Sequence, residues 1–404
     1  MKVFMINTVC GIGSTGRICT DIASYLRKNN HECIIAYGQG TTDFTNAYKI
    51  GTTLENHLHN IGSRVLGLQG YFTKNGTRKL IEKIKEENPD ILHLHNLHGN
   101  YLNLELLFNF LKDFKGKIFW TLHDCWAFTG KCAHYTDVKC AKWKEKCRNC
   151  PQVNKYPPSM LLDQSEKMFF DKKRWYSGLT NLHVICVSDW LMNETRQSLL
   201  LGKQKIERIY NWIDYETFKF TKGTVREELN LPEDKKIILC VGAAWNKSDE
   251  KFKKLLQLSD ELNDDYLLLV VGKINSKSKV KKKNIIFVPY ISGKEKMAEI
   301  YSVADVYLHL STEDTFGLVI GEAMACGTPV IVFNSTACSE VPGPEGCGSV
   351  VENNDIMQIV NKISEIATGK QSYSEKCRNY VMEKYDINKN INLLLTFYQN
   401  GYVG

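Results

Sequence analysis

No apolar run in this 404-residue chain reaches the ~18–20 residues that a membrane-crossing helix needs. A membrane-spanning protein is therefore not expected. The first residues, MKVFMINTVCG, are too few and, at Asn7 and Thr8, too polar for a signal peptide; they read as a buried first strand. The expectation is a cytoplasmic protein, touching the inner face of a membrane only peripherally. In that compartment the 14 cysteines should be reduced thiols, not a disulfide framework. No internal repeat and no low-complexity tract is present, which sets aside repeat arrays and disordered linkers. Neither sign of charge dominates: 52 Lys and Arg face 45 Asp and Glu, for a net +7. The one basic cluster, KSKVKKK at 277–283, reads as a solvated loop, or as an attraction to phosphates or an anionic membrane surface. No binding motif accompanies it, so nucleic acid is not expected as a partner.

What is present is ordinary for a folded protein, 43% apolar and 24% charged, and too long for one core, so two domains are expected. Strand-like segments at 2–8, 33–37, 91–95, 117–122, 183–187 and 206–210 alternate with helical ones such as 17–28 and 77–87. Residues 40–75 are polar and glycine-rich, with a helix only around 57–66. A second series starts at 237–241 and continues through a helix at 251–262 and strands at 266–271, 285–288, 306–310 and 330–333. Residues 215–235 read as a linker. The expected class is α/β: two facing Rossmann-like domains with a cleft between them, 1–210 and 211–385.

Four groups of residues carry chemistry. Residues 313–330, EDTFGLVIGEAMACGTPV, place Asp314 and Glu322 with seven residues between them, between an apolar strand and the next one. Strand, loop, helix, strand puts the first carboxylate at a strand's carboxyl end and the second about two turns along a helix. The helix N-terminus offers free N–H groups to an anion. Two carboxylates can then grip hydroxyls at two ends of a ligand, with phosphates at the amides between. Residues 11–16, GIGSTG, fit the dinucleotide fingerprint G-x-G-x-x-G after a strand and before a helix. The second strand, however, ends Ala36-Tyr37-Gly38 without an acid for a ribose, Glu32 lying before it. A NAD(P)-dependent oxidoreductase using this loop is the alternative reading. His93, His95 and His123, in DILHLHN and TLHD, sit at strand carboxyl ends, the ligand-facing edge of an open α/β sheet. Finally, Cys132, Cys140, Cys147 and Cys150 stand in an insertion at about 125–158. Cys147-x2-Cys150 is half of a zinc knuckle, and four thiolates could close a structural zinc site, with His134 as another fourth ligand. The other reading is four reduced, partly buried thiols.

The stretch from Asp314 to Glu322 resembles the Glu-x7-Glu signature of retaining glycosyltransferases of family 4, with Asp in first place. EAMACGTPVI is similar to that family almost letter for letter, and Ser339-Glu340-Val341-Pro342 and Gly348 fit it more loosely. Thr121-x-His123-Asp124 resembles its motif whose His contacts the transferred sugar. The Cys-rich block, with its Cys-Pro-Gln end, resembles an insertion in a subgroup that builds bacterial capsule, O-antigen or exopolysaccharide. The resemblance implies a GT-B fold whose last helical segment, within 386–404, crosses back onto the first domain. It implies a retaining, hexosyltransferase-like enzyme, without a catalytic metal, moving sugar from a nucleotide-diphosphate donor (UDP or GDP) to a saccharide or lipid-linked acceptor. By position, Glu322 should bind the nucleotide ribose. Asp314, or its neighbour Glu313, should lie near the transferred sugar, and the amides of Thr315, Phe316, Gly317 and Leu318 should face sugar and phosphate. Gly13, Gly16 and Arg17 fall on the donor side, His123 in the active site, and His95 and Asp124 toward the acceptor. Where the family has Val-Gly-Arg and then Lys-Gly, this chain reads Val241-Gly242-Ala243-Ala244. The Arg is missing, and Lys247 or Lys251 should supply its charge. That departure also leaves a non-catalytic nucleotide-sugar-binding protein as an alternative.

Overall fold

Short runs in which nearly every residue is buried, such as VFMI, ILHL and VIVF, form parallel strands, as a sheet covered on both faces requires. The computed structural model describes residues 1–274, 280–343, 346–353 and 355–401. Within the basic stretch at 277–283, residues 277–279 lie outside the described residues, as does the chain end beyond 401. The chain divides into two compact units, Met1–Tyr210 with Ile391–Gly404, and Asn211–Asn390.

The first unit holds β1 (Lys2–Asn7), β2 (Glu32–Tyr37), β3 (Ala47–Lys49), β4 (Ile91–Leu94), β5 (Lys117–Leu122), β6 (Leu182–Cys186) and β7 (Lys205–Arg208). They form a seven-stranded sheet in the order β3-β2-β1-β4-β5-β6-β7, every pair parallel. Its helices are α1 (Gly13–Lys28), α2 (Thr53–Leu66), α3 (Lys74–Glu87), α4 (Leu104–Asp113), α5 (Ser165–Tyr176) and α6 (Asp189–Arg196). Side-chain caps start several of them: Thr52, Asn103 and Ser188 accept from the N–H three residues on, at α2, α4 and α6. At the chain's end, Tyr398 donates to His93 Nδ1 at 2.5 Å and the Lys117 ammonium binds the Tyr398 carbonyl at 2.8 Å.

The second unit holds α7 (Val225–Glu228), β8 (Lys236–Trp245), α8 (Glu250–Glu261), β9 (Tyr266–Ile274), β10 (Ile285–Val288), α9 (Lys294–Val303), β11 (Val306–His309), α10 (Leu318–Ala325), β12 (Val330–Phe333), β13 (Gly348–Val351), α11 (Ile356–Thr368) and α12 (Lys370–Lys384). A final helix, α13 (Ile387–Asn400), ends the chain. The sheet is again parallel, in the order β10-β9-β8-β11-β12-β13. This is the Rossmann strand order. Its core joins Phe252, Leu255 and Leu258 of α8 to Leu268, Val270, Leu308 and Ile331 of the sheet.

The expected linker at 215–235 is instead folded structure. Phe218 and Val225 are buried, Arg378 donates to the carbonyls of Tyr215 and Phe218, and Lys294 pairs with Asp214 at 2.8 Å. Its polar side chains misled because they serve as partners within the second unit. Among the described residues, no helix is long and apolar enough to cross a membrane.

Candidate functional site

In each sheet the strand order reverses once, between β1 and β4 and between β8 and β11. Ligands of open α/β sheets bind outside the carboxyl ends of strands at such a point.

At the second of these points, β11 runs into the loop of Asp314. His309, the last residue of β11, is 5% exposed and its Nε2 meets Asp314 Oδ2 at 2.6 Å. Its Nδ1 meets the Tyr307 hydroxyl at 2.9 Å; the two-residue spacing along a strand puts both on one face. Burial alone would lower the His309 pKa, but Tyr307 and the Asp314 carboxylate carry it well above the ordinary value, so a cation backs the acid. The Asp314 N–H donates to Thr336 Oγ1 at 3.2 Å, fixing the loop. His309, Asp314 and Cys338 offer three ligand atoms within 4.8 Å, the combination among the described residues that could hold a metal ion. The 2.6 Å contact is that of a charged hydrogen bond, which already engages the imidazole nitrogen.

Past Asp314 the chain turns at Gly317, whose φ of +85° opens α10; a Cβ there would stand 2.7 Å from the Ile320 side chain. No side chain caps this helix start. Thr315 is buried, and the Phe316 ring packs edge-on against Tyr385, with centroids 5.2 Å apart. The Phe316 side chain is thus taken up by packing, which leaves its backbone to face outward. Glu322, one turn into α10, accepts from the buried Tyr301 hydroxyl at 3.0 Å. Glu313 donates its N–H to Ser311 Oγ at 3.3 Å and lies beside the anchored acid.

The missing arginine has a structural counterpart. β8 continues through Ala243 and Ala244 to Trp245, with a break in register between Val241 and Ala244. Gly272, at φ +144°, lets β9 approach the Gly242 carbonyl there, where a Cβ would stand 2.0 Å away. Trp245 is buried and donates to the Val271 carbonyl at 3.0 Å. Lys251 lies with its ammonium 5.0 Å over the Trp245 ring; burial lowers its pKa, with Asp249 and Asp314 opposing. Lys247 is exposed. Asp314 is among the charges that favour the Lys251 ammonium.

At the switch point of the first unit, the loop after β1 closes on itself: the Gly11 N–H donates to the Gly16 carbonyl at 3.1 Å. Gly16 is buried under this turn, with a Cβ 3.1 Å from both Gly11 N and Val9 Cγ2, whereas Gly13 is exposed and Arg17 half-buried. Gly16 thus shapes the loop and Gly13 and Arg17 face outward. Next to it, β4 is followed directly by His95, 1% exposed, whose Nδ1 meets His123 Nε2 at 3.0 Å with the rings stacked. His95 Nε2 is buried without a partner. A bare lone pair is cheaper to strand there than an N–H, which assigns the proton to Nδ1, donated to His123. His123 then carries its own proton on Nδ1. Burial, reinforced by His93 and His123, holds His95 neutral, and burial pushes His123 down to about 4. His95 can therefore serve an acceptor only from behind His123.

Asp124 engages a residue that the sequence reading passed over. Its Oδ2 meets His98 Nε2 at 2.6 Å, and its Oδ1 accepts the Trp126 N–H at 2.8 Å. Burial would raise the Asp124 pKa, but His98 and that N–H bring it to about 2. His98 Nδ1 in turn meets the Tyr156 hydroxyl at 3.0 Å. His98 follows His95 by three residues in HLHNLH, and that spacing past a strand end was the available signal, as Tyr307-x-His309 was in the second unit. Cys132, Cys140, Cys147 and Cys150 all line one small cavity beside this corner, without a disulfide.

A family model described as Glycosyltransferase Family 4 matches residues 15–217, just over half of the chain, and one described as Glycosyl transferases group 1 matches 221–384. A protein of Escherichia coli K12 named as colanic acid biosynthesis glycosyl transferase WcaC is 27% identical over 279 residues, 67% of this chain. The match spans 66% of that protein, just under two thirds of its length. Sucrose-phosphate synthase from Thermosynechococcus elongatus superposes with a TM-score of 0.71 at 16% identity, over 98% of both chains. HepE of Anabaena, in a complex with UDP and glucose, gives 0.68 at 13% identity, over 99% of both. These likenesses make the fold a GT-B α/β fold with two Rossmann-like domains.

Proposed function

The chain belongs to Glycosyltransferase Family 4, and we propose that it transfers a sugar from a nucleotide-diphosphate sugar to a saccharide acceptor in bacterial polysaccharide synthesis. The observation that carries this reading is the pair of backed carboxylates around the α10 N-terminus, Asp314 on His309 and Glu322 on Tyr301. Glu322 holds the ribose hydroxyls, Asp314 the transferred sugar, and the backbone N–H groups of Thr315 to Leu318 the phosphates. With no catalytic metal in this scheme, helix-terminal N–H groups and Lys251 steady the departing diphosphate; one such donor accounts for ~3–4 kcal/mol of barrier. His123 and the His98–Asp124 pair serve the acceptor side. The anomeric configuration is retained, and the preferred nucleotide is UDP, the one held by HepE.

The acceptor is a lipid-linked oligosaccharide, and the protein meets it at the inner face of the membrane as a peripheral protein. The net charge of +7 supports that placement. The test is calorimetric titration of the purified chain with UDP, GDP and their sugars, followed by NMR of the product's anomeric centre. Tight UDP binding, with transfer of an α-linked sugar from an α-linked donor, is the expected result. Binding of neither nucleotide, or an inverted product, sinks the reading.

A further inference from the structure

Between the helical turn Trp126–Phe128 and α5 at Ser165, the sole regular element among the described residues is the three-residue turn Lys142–Lys144. A connection this long without secondary structure needs another source of order. Yet it is not a surface flap: Trp143, Tyr135, Cys132 and Cys147 are all buried. The four cysteines of the insertion line a single cavity of about 20 Å³.

Burial raises the thiol pKa of Cys132, Cys147 and Cys150, and two features oppose it. Backbone N–H groups point at two of them: Gly130 donates to Cys147 Sγ at 3.1 Å, and Gln152 to Cys150, two residues before it. An N–H reaching back across a Cys-x-x turn favours a thiolate over a thiol. Two lysines are also buried beside the cavity, Lys131 at 3% and Lys172 at 0% exposure. The Lys172 ammonium binds the carbonyls of Trp126 at 2.5 Å and Thr129 at 3.1 Å and sits 3.5 Å over the Trp126 ring. Lys131 binds the carbonyls of Val153 at 2.8 Å and Pro157. Burial lowers the pKa of both, Lys172 to about 7; Cys147, Cys132 and Asp124 oppose this at Lys172, and Cys150, Cys132 and Asp163 oppose it at Lys131.

We propose that Cys132, Cys140, Cys147 and Cys150 bind one zinc ion as a structural tetrathiolate. Four thiols give up four protons to solvent, and the resulting centre, with a net charge of about −2, is offset by the two buried ammoniums. Zinc–sulfur bonds of ~2.3 Å would set the sulfurs roughly 3.8 Å apart. No three of them lie within 4.8 Å of one another here, so the loops draw together on binding. The insertion frames the acceptor corner: the Cys125 N–H donates to the Ala133 carbonyl at 2.9 Å, and Ala133 to that of Tyr156, the residue that holds His98. The metal therefore orders the loop carrying Tyr156. This inference is independent of the proposed sugar transfer.

The test is metal analysis of the full chain, purified with reductant and without chelator. The expected content is one zinc per chain, released by a mercurial reagent in step with thiol titration. Cys147→Ser with Cys150→Ser should bring it near zero and lower Tm, while Cys10→Ser, elsewhere in the first unit, keeps it. If the double variant fails to fold, cobalt exchange into the unmutated protein decides. Thiolate charge-transfer and tetrahedral d–d bands support the site. Substoichiometric zinc in zinc-supplied protein overturns it, as does native alkylation of all four thiols. Loss of zinc in His134→Ala but not in Cys140→Ser overturns the four-sulfur assignment.

Discussion

The two switch points present opposite chemistry at equivalent places. In the second unit each acid is backed by its own donor, His309 behind Asp314 and Tyr301 behind Glu322, and the imidazole is charged. In the first unit imidazoles stand behind one another, His93 and His95 behind His123, and burial keeps all three neutral. Under the proposed function, charge stands at the donor edge and neutral donors and acceptors at the acceptor edge. One strand order can thus host an ionic edge and a neutral one, according to which residue ends the central strands.

The strongest way to break this contrast is at Asp314. Asp314→Ala removes the acid and one of the causes that keep His309 charged, so turnover should fall by about 10²–10³-fold. His309→Gln keeps a hydrogen bond but not the charge, and should fall less. If His309→Gln retains full rate across pH, the cation is not part of the site. Next in size, His123→Ala should lower kcat by about 10²-fold with little change in donor KM. A change in donor KM alone would move His123 out of the active site. Smaller again, Glu322→Gln leaves the Tyr301 hydroxyl bonded but loses the charge, and should weaken nucleotide affinity about tenfold, read by calorimetry.

How much of this could be read from residue order differs between the two edges. Asp314, Glu322 and the turn at Gly317 lie within one strand–loop–helix unit, so spacing alone places them. Partners brought by sheet register or by loop return were not legible. His98 reaches Asp124 only because β4 and β5 are neighbours, and Tyr301 reaches Glu322 from α9. β3, with Ala47, Tyr48 and Lys49 all half-buried, shows no apolar alternation, and β13 has only four residues. Nothing in the residue order marks Lys131 and Lys172 as buried, yet they are, because their stems cross the insertion to reach carbonyl groups. The apparent linker failed for the same reason: polar side chains report hydrogen-bonding capacity, and only the fold shows whether water or protein meets it.

The gentlest probe of the contrast is pH, because the two edges should respond with opposite sign. His93 and His95 titrate near 6.5 when unfolded, but burial holds His93 near 3 and His95 well below the ordinary value when folded. Below about pH 6.5 the unfolded chain binds protons that the folded first unit refuses, so stability there falls as pH falls, by roughly 1.4 kcal/mol per pH unit for each such histidine. His309 is the reverse case. Its folded pKa is raised, so its contribution is complete below about 6.5 and is lost as pH rises through the folded value. Hydrogen exchange, corrected for intrinsic rates, should therefore show β4 and β5 peptides losing protection between about pH 6.5 and 5 while β11 peptides hold. Above about pH 7 the β11 peptides should loosen first, and His309→Gln should abolish that slope while leaving the acid limb unchanged. Loss of protection in both units on the same side of neutrality would show that the buried imidazoles do not set the difference between them.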